Sequence, residues 1–179
     1  ALGASGVAGA GEVTSPQPAV TTVARFEQTV APEGIAIAGD GTIYVSTSGG
    51  GAVWKLGAGG APTVEAVLAP TVSGGAFGVL DVAIDADGRL YAAVSSGTVD
   101  TQGVWTWLPG GQPTRIRGSE RLGFANFVAI DDDGTVYVSE SLRGEVWRAG
   151  SWSGELELWT DHPWLSGNGS LLGPALPVG

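Results

Sequence analysis

Residues 35–46 read IAIAGDGTIYVS, residues 82–93 read VAIDADGRLYAA, and residues 128–139 read VAIDDDGTVYVS. Each copy has a short apolar run, an Asp-Gly turn, and a second run in which apolar residues alternate with polar or amphipathic ones. Asp-Gly between two such runs is typical of a β-hairpin. The copies recur about every 47 residues, a spacing in the range of one β-propeller blade. The repeat therefore predicts an all-β propeller.

Each copy supplies two strands of a predicted four-stranded blade. A third strand follows and carries a tryptophan in every repeat, at Trp54, Trp105 and Trp147. A ring of this size can pack between adjacent twisted sheets, so we predict that these residues lie between blades and do not stack on a ligand. Short β-rich runs suit a fourth, outer strand for each blade. They are residues 64–68, 114–117 and 155–159, and a similar run at 23–28 precedes the first copy.

The sequence thus divides into three predicted blades, residues 22–68, 69–117 and 118–160. Residues 1–21 are rich in small residues without periodicity, which favours a flexible leader. Residues 161–179 are interrupted by Gly and Pro, which is typical of a connection and here would lead to an absent fourth blade. Propellers close into rings of about four to eight blades. Three blades make half of a six-bladed ring, so we expect either a missing half or a second copy to complete it.

Charge and composition narrow the range of partners. The formal net charge of -10 argues against nucleic acid and anionic membranes, which both require a basic surface. The chain has no cysteine, which excludes disulfides, thiolate metal sites and a cysteine nucleophile. No apolar run reaches the roughly 20 residues of a membrane-spanning helix. The N-terminal residues resemble an export remnant slightly more than a linker, which favours a secreted or periplasmic protein.

The register of the repeats indicates where a site would form. In a propeller the inner strands start near the central channel, so the residues just before them converge there. Glu33, Leu80 and Asn126 occupy equivalent positions, two residues before each copy. The next positions are held by Gly34, Asp81 and Phe127. The oxygen ligands among these residues would suit a Ca²⁺-like cation, whereas the alternative is a polar plug of the channel held by backbone amides and water.

Three motifs resemble a known family. They are the run PEGIA at 32–36, the Asp-Gly turns followed by Tyr, and the run VSESLRGEVW at 138–147. Together they resemble the gluconolactonase, senescence-marker-protein and paraoxonase type of six-bladed propeller, with strictosidine synthase as a more distant relative. The likeness covers residues 23–179. It implies a metal-dependent lactonase or esterase acting on a small neutral or lactone-like molecule, with Glu33 and Asn126 as metal ligands and a further carboxylate from a later blade.

Two departures from that family pattern favour an alternative. Leu80 stands where the family often has Asn, and Phe127 where it often has Gly. An apolar Leu cannot orient a substrate hydroxyl or bind a metal ion. The alternative is a non-catalytic propeller of the NHL type, acting as a binding or assembly module. Ser95–Gly103 would then be a recognition loop.

Other polar residues carry weaker signals. His162 is the sole histidine, and no Gly-x-Ser-x-Gly motif accompanies it, so we interpret it as a surface residue and only secondarily as a proton-transfer group. Asp131, Asp132 and Asp133 fall in a predicted turn, which they are expected to cap while staying solvated.

Overall fold

The chain forms three four-stranded antiparallel sheets in a computed structural model that describes residues 19–57, 59–70 and 77–165. Blade 1 contains β1 (Pro32–Ile37), β2 (Ile43–Thr47), β3 (Ala52–Leu56) and β4 (Thr63–Val67). Blade 2 contains β5 (Gly78–Ile84), β6 (Leu90–Ser95), β7 (Gly103–Trp107) and β8 (Thr114–Arg115). Blade 3 contains β9 (Ala125–Ile130), β10 (Val136–Glu140), β11 (Glu145–Ala149) and β12 (Glu157–Thr160). The predicted all-β fold with three four-stranded blades is confirmed.

The Asp-Gly turns join the inner strand of each blade to the next strand. Gly41, Gly88 and Gly134 have φ values of 84°, 79° and 84°, the left-handed region that glycine adopts without strain. In the first turn, the Asp40 carboxylate accepts the Thr42 N–H at 2.9 Å. Backbone geometry and a local hydrogen bond together therefore fix each hairpin.

Every blade has two faces with different residues. The leading face packs on the preceding blade, and the trailing face packs on the following one. The trailing face of blade 1 and the leading face of blade 2 form one apolar core, and the next pair of faces forms a second. Trailing faces contribute Ala36, Tyr44 and Val53 in blade 1 and Ala83, Tyr91, Ala93 and Val104 in blade 2. Leading faces contribute Val82, Leu90, Ala92 and Trp105 in blade 2 and Val128, Val136, Val138 and Trp147 in blade 3.

The repeated tryptophans follow this rule. Trp105 packs into the core between blades 1 and 2, and Trp147 into the core between blades 2 and 3. Their predicted inter-blade position is therefore confirmed. Trp54 has the equivalent place on the leading face of blade 1, where its ring meets the Phe26 ring edge to face at 5.7 Å.

The predicted strand at residues 23–28 is wrong. These residues lie along the leading face of blade 1 without strand structure. A strand needs a neighbour that completes its hydrogen-bond ladder, and in the described part of the chain none lies beside this segment. The outer strands also differ in length from the prediction: β8 has two residues, and Arg117 beyond it forms a parallel bridge with Glu155 of blade 3.

Much of both predicted terminal segments, the leader at 1–21 and the connection at 161–179, lies outside the described residues. Of the latter, Pro163–Leu165 forms a single 3-10 turn. Within the ranges that the structure does describe, no helix has the length and apolar character required to cross a bilayer.

Trp107 provides a test of the inter-blade core. It is 1% exposed, and its indole N–H donates to Glu65 of blade 1 at 3.3 Å. We expect Trp107→Ala to lower the free energy of unfolding by about 3–5 kcal/mol, because it removes buried apolar area and leaves a cavity. Urea denaturation measures the change. Trp164, which is 84% exposed, is the matched control, and Trp164→Ala should change stability by less than about 0.5 kcal/mol. Equal effects of the two substitutions would contradict this account of the core.

Candidate functional site

The inner strand of every blade contains a β-bulge at its N-terminal end. In β5 the extra residue is Leu80, inserted between the paired residues Val79 and Asp81. In β9 it is Asn126, and in β1 the irregular stretch includes Glu33. The three positions that the repeat brings into register therefore share one structural role. A bulge turns a side chain out of the regular alternation and is frequent beside functional sites.

Asp81 lies where the three inner strands meet. Its carboxylate accepts the N–H of Val128 at 3.0 Å, which joins blade 2 to blade 3, and its side chain is nearly buried. On the other side it meets Gly34 of blade 1. A Cβ on Gly34 would lie 2.5 Å from Asp81 Oδ1 and 2.9 Å from Ser46 Oγ, so only glycine fits this position.

Burial controls the ionisation of Asp81. Desolvation raises the pKa of its carboxyl above the usual value, while the N–H groups of Val128 and Val82 act in the opposite direction. At the positions equivalent to Asp81 in blades 1 and 3, the backbone N–H groups donate to neutral hydroxyls. Ser46 Oγ accepts the Gly34 N–H at 2.8 Å, and Ser139 Oγ accepts the Phe127 N–H at 3.1 Å. Of the three equivalent positions 34, 81 and 127, only that of Asp81 therefore carries an ionisable side chain.

The two predicted metal ligands have different surroundings. Glu33 is exposed and lines an apolar groove of about 360 Å³ on the leading face of blade 1, together with Phe26, Ile35 and Val45. Asn126 is half-buried, and its Nδ2 donates to Ser141 Oγ at 2.9 Å. This hydrogen bond uses the amide nitrogen and leaves the carbonyl oxygen as the atom available to a ligand.

The remaining residues predicted at the channel are apolar or structural. Leu80 is buried, whereas Phe127 is 65% exposed on the trailing face of blade 3. His162 is exposed, its Nδ1 accepts the N–H of Trp164 at 3.2 Å, and the two rings lie 5.3 Å apart. Its described contacts are thus local to one turn.

The aspartates of the turns line a polar cleft of about 410 Å³ between blades 2 and 3. Their oxygens are engaged in the turns themselves: Asp131 Oδ1 accepts the N–H groups of Asp133 and Thr135, and Asp85 Oδ1 does the same for Asp87 and Arg89. Over residues 19–57, 59–70 and 77–165, no group of three or more His, Asp or Glu side chains is arranged to hold a metal ion.

Sequence reasoning missed Glu140. The side chain is 1% exposed; Oε1 accepts the N–H of Phe124 at 2.8 Å and Oε2 accepts that of Arg143 at 2.6 Å. Two backbone hydrogen bonds hold the turn after β10 against the loop before β9. An acidic residue that ends a strand just before a polar turn was the available signal.

Asp81 provides a pH test. Because its pKa is raised on folding, the folded protein binds this proton more tightly than the unfolded chain, so its contribution to stability falls as pH rises above the usual pKa. Asp81→Asn removes that ionisation and can still accept the Val128 N–H. We expect the stability of the variant relative to the original protein to increase between about pH 3 and about pH 7, measured by urea denaturation.

The control for this test is Asp132→Asn, at an exposed turn position. This substitution should change stability by less than about 0.5 kcal/mol, because the position is exposed and lies outside the core. A relative stability of Asp81→Asn that falls toward neutral pH would show that the folded state favours the charged carboxylate, contrary to this account.

Comparison with known proteins supports the fold. A family model described as strictosidine synthase-like, N-terminal, matches residues 20–54 and 81–99, which is less than half of the chain. The matched ranges include Glu33 and Asp81. Among curated proteins, none matches the chain in sequence.

Several solved structures share its architecture. Virginiamycin B lyase from Staphylococcus aureus has a TM-score of 0.59 at 13% identity, covering 76% of this chain and 43% of the lyase. A chain of the nidogen/laminin complex has a TM-score of 0.62 at 13% identity, with coverage of 78% and 52%. A putative oxidoreductase (glucose dehydrogenase) from Thermus thermophilus has a TM-score of 0.52 at 18% identity, with coverage of 79% and 49%.

This chain therefore spans about half of the length of the structures that it matches. Identities this low establish a common fold and nothing finer. Taken with the three blades and the family-model match, they identify the chain as part of a β-propeller.

Proposed function

We propose that the chain forms part of the channel wall of a gluconolactonase-type hydrolase, in which Glu33 and Asn126 supply two ligands to a divalent cation. The observation that carries the proposal is the shared bulge: both side chains project from equivalent points of inner strands. One offers an exposed carboxylate, and the other offers a carbonyl oxygen whose amide nitrogen is already bonded to Ser141.

The chemistry of these donors suits a hard cation. Ca²⁺ takes six to eight oxygen ligands, from carboxylates, amide carbonyls and water. Two come from this chain, so the others would be water and groups of another blade. A bound cation of this kind supplies Lewis-acid polarisation of an ester or lactone carbonyl and a more acidic water.

The neighbouring residues have positioning roles in this proposal. Asp81 contacts the backbone of both flanking inner strands, so it fixes the bulge of blade 1 relative to that of blade 3. Leu80 occupies the bulge between the two proposed ligands and offers no polar atom. Because this side chain is buried, it adds no polar contact for a hydroxyl-rich molecule, and a small neutral or lactone-like molecule is the proposed ligand.

Metal binding tests the ligand assignment. We expect isothermal titration of the full chain with Ca²⁺, Zn²⁺ or Mn²⁺ to show binding, and Glu33→Gln to weaken it by roughly tenfold or more, because a neutral amide attracts a cation far less than a carboxylate. Glu157→Gln is the matched control, since Glu157 is an exposed glutamate on the outer strand of blade 3. The ligand assignment fails if no cation binds, or if both variants bind as the original protein does.

A second candidate is a propeller that binds without turnover. It is favoured by Phe127, an exposed aromatic ring at a position that neighbouring blades fill with Gly34 and Asp81. The exposed ring would contribute apolar contact area to a protein or carbohydrate ligand.

Turnover separates the two candidates. For the hydrolase, we expect a δ-lactone or an aryl ester to be hydrolysed faster when the divalent cation is added, with the increment abolished by Glu33→Gln and retained by Glu157→Gln. The measurement is a pH-stat or chromogenic assay on the full chain. Cation binding without turnover would instead support the second candidate.

A further inference from the structure

The candidate ligand Asn126 lies beside the turn that joins β10 to β11. This turn, residues 141–144, is called the β10–β11 turn below. Asn126 Nδ2 donates to Ser141 Oγ at 2.9 Å, which links the bulge of the inner strand to the first residue of the turn. The side chain of a candidate ligand is thus held by a residue outside its own strand.

Backbone hydrogen bonds hold Ser141 against the segment that precedes β9. The Ser141 N–H donates to the Phe124 carbonyl at 3.1 Å. The Phe124 N–H donates to the buried Glu140 carboxylate at 2.8 Å. Both polar groups of the Phe124 backbone are therefore bonded to consecutive residues at the end of β10. Because Phe124 is two residues before Asn126, these bonds also fix where Ser141 lies relative to the bulge.

Further hydrogen bonds restrain the β10–β11 turn itself. Glu140 Oε2 accepts the Arg143 N–H at 2.6 Å. The Arg143 side chain donates through Nε to Glu145 at 2.9 Å and through Nη2 to the Arg121 carbonyl at 3.4 Å. The turn is therefore bonded to the strands at both of its ends and to the 3-10 turn before β9, which limits the motion of Ser141.

Packing at Gly123 shows how closely the β10–β11 turn approaches the segment before β9. A Cβ at this position would lie 3.2 Å from Glu140 Oε1 and 3.4 Å from Leu142 Cδ1. Contacts this short leave no gap between the two segments. Van der Waals contact thus adds to the hydrogen bonds that set the position of Ser141.

The equivalent positions of blade 1 are used differently. Ser48 is the equivalent of Ser141, and its N–H likewise donates to a carbonyl, that of Ala31, at 2.9 Å. The Ser48 hydroxyl donates to the same carbonyl at 3.2 Å. Thr47 stands at the place of Glu140, and its hydroxyl bonds within its own hairpin. The backbone contact is thus common to blades 1 and 3, whereas in blade 3 the serine hydroxyl bonds an asparagine side chain.

We propose that Ser141 is a positioning residue for Asn126: its hydroxyl holds the amide nitrogen and so fixes the carbonyl oxygen on the side of the amide that a cation can reach. An oxygen that is already fixed binds a hard cation better than one that must first be ordered. Loss of a partner that orients a metal ligand typically lowers metal affinity by about 10- to 100-fold. The effect on cation affinity rests on the proposed function, whereas the orientation of the amide does not.

Side-chain NMR tests the orientation without any cation. The chain contains two asparagines, Asn126 and Asn168, so ¹⁵N-asparagine labelling of the full chain gives few signals, and Asn126→Ala identifies those of Asn126. We expect a side-chain amide proton of Asn126 to exchange with solvent at least about tenfold more slowly in the original protein than in Ser141→Ala. Ser141→Thr keeps the hydroxyl and should retain the protection.

Cation titration tests the effect on affinity. In isothermal titration with Ca²⁺, Ser141→Ala should bind at least about tenfold more weakly than the original protein, and Ser141→Thr should bind nearly as the original does. Ser153→Ala is the matched control, because Ser153 is an exposed serine whose Oγ lies 3.2 Å from Ser151 Oγ in another turn of blade 3. This control should bind as the original protein does.

The two measurements separate this proposal from the proposed function. Unprotected Asn126 amide protons in the original protein, or protection that Ser141→Ala leaves unchanged, would overturn the positioning role. Unchanged affinity of Ser141→Ala, with Glu33→Gln weakened, would also overturn it and would leave the cation site in place. If the original protein binds no cation, the proposed function fails, and the exchange measurement alone decides the orientation.

Discussion

Each sheet in this protein is apolar on both faces, and this makes blade-to-blade burial the interaction on which the structure depends. A sheet with one solvent-exposed face needs only one apolar core, but a propeller blade needs a neighbouring blade on each side. The chain meets this requirement by giving the two faces different sizes of side chain. In the first three strands, the trailing faces of blades 1 and 2 carry alanine, valine and one tyrosine per blade. The leading faces of blades 2 and 3 carry valine, leucine or alanine and an indole side chain. The twisted sheets can then approach closely without voids.

Blades 1 and 2 approach closely at their inner strands, and this contact limits which side chains the site can contain. Gly34 has no Cβ because Asp81 occupies the space that a Cβ would need. Asp81 in turn is held by the backbone of Val128. A buried carboxylate costs desolvation free energy, as the raised pKa of Asp81 reflects, and it is retained where it satisfies a backbone donor between two blades. Asp81 thus links the inner strands that carry the candidate ligands, while a bulge within each sheet places the ligands themselves.

The sequence predicts the repeating parts of this structure well, because they depend on local chemistry. The Asp-Gly turns set the hairpins, and successive residues of β2, β6 and β10 point to opposite faces of each sheet, as they do in any strand. From the same register, Glu33, Leu80 and Asn126 could be placed at one level. Their conformation could not be predicted, because a bulge shifts the pairing by one residue without a change in composition. The strand prediction for residues 23–28 was wrong for a related reason. Their composition favours a strand, but a strand also needs a neighbouring strand to pair with, which composition alone does not show.

Leu80 and Phe127, the two departures from the family pattern, lie in different surroundings in the structure. Leu80 is buried in a bulge, so its apolar side chain belongs to the interior and replaces a polar contact with packing. Phe127 is exposed on a blade face, at a position where the preceding blades have Gly34 and Asp81 in tight inter-blade contact. A phenyl ring cannot occupy the space left by glycine, so whatever covers blade 3 must supply a recess at this point. The first departure therefore concerns packing inside blade 2, and the second concerns what blade 3 packs against.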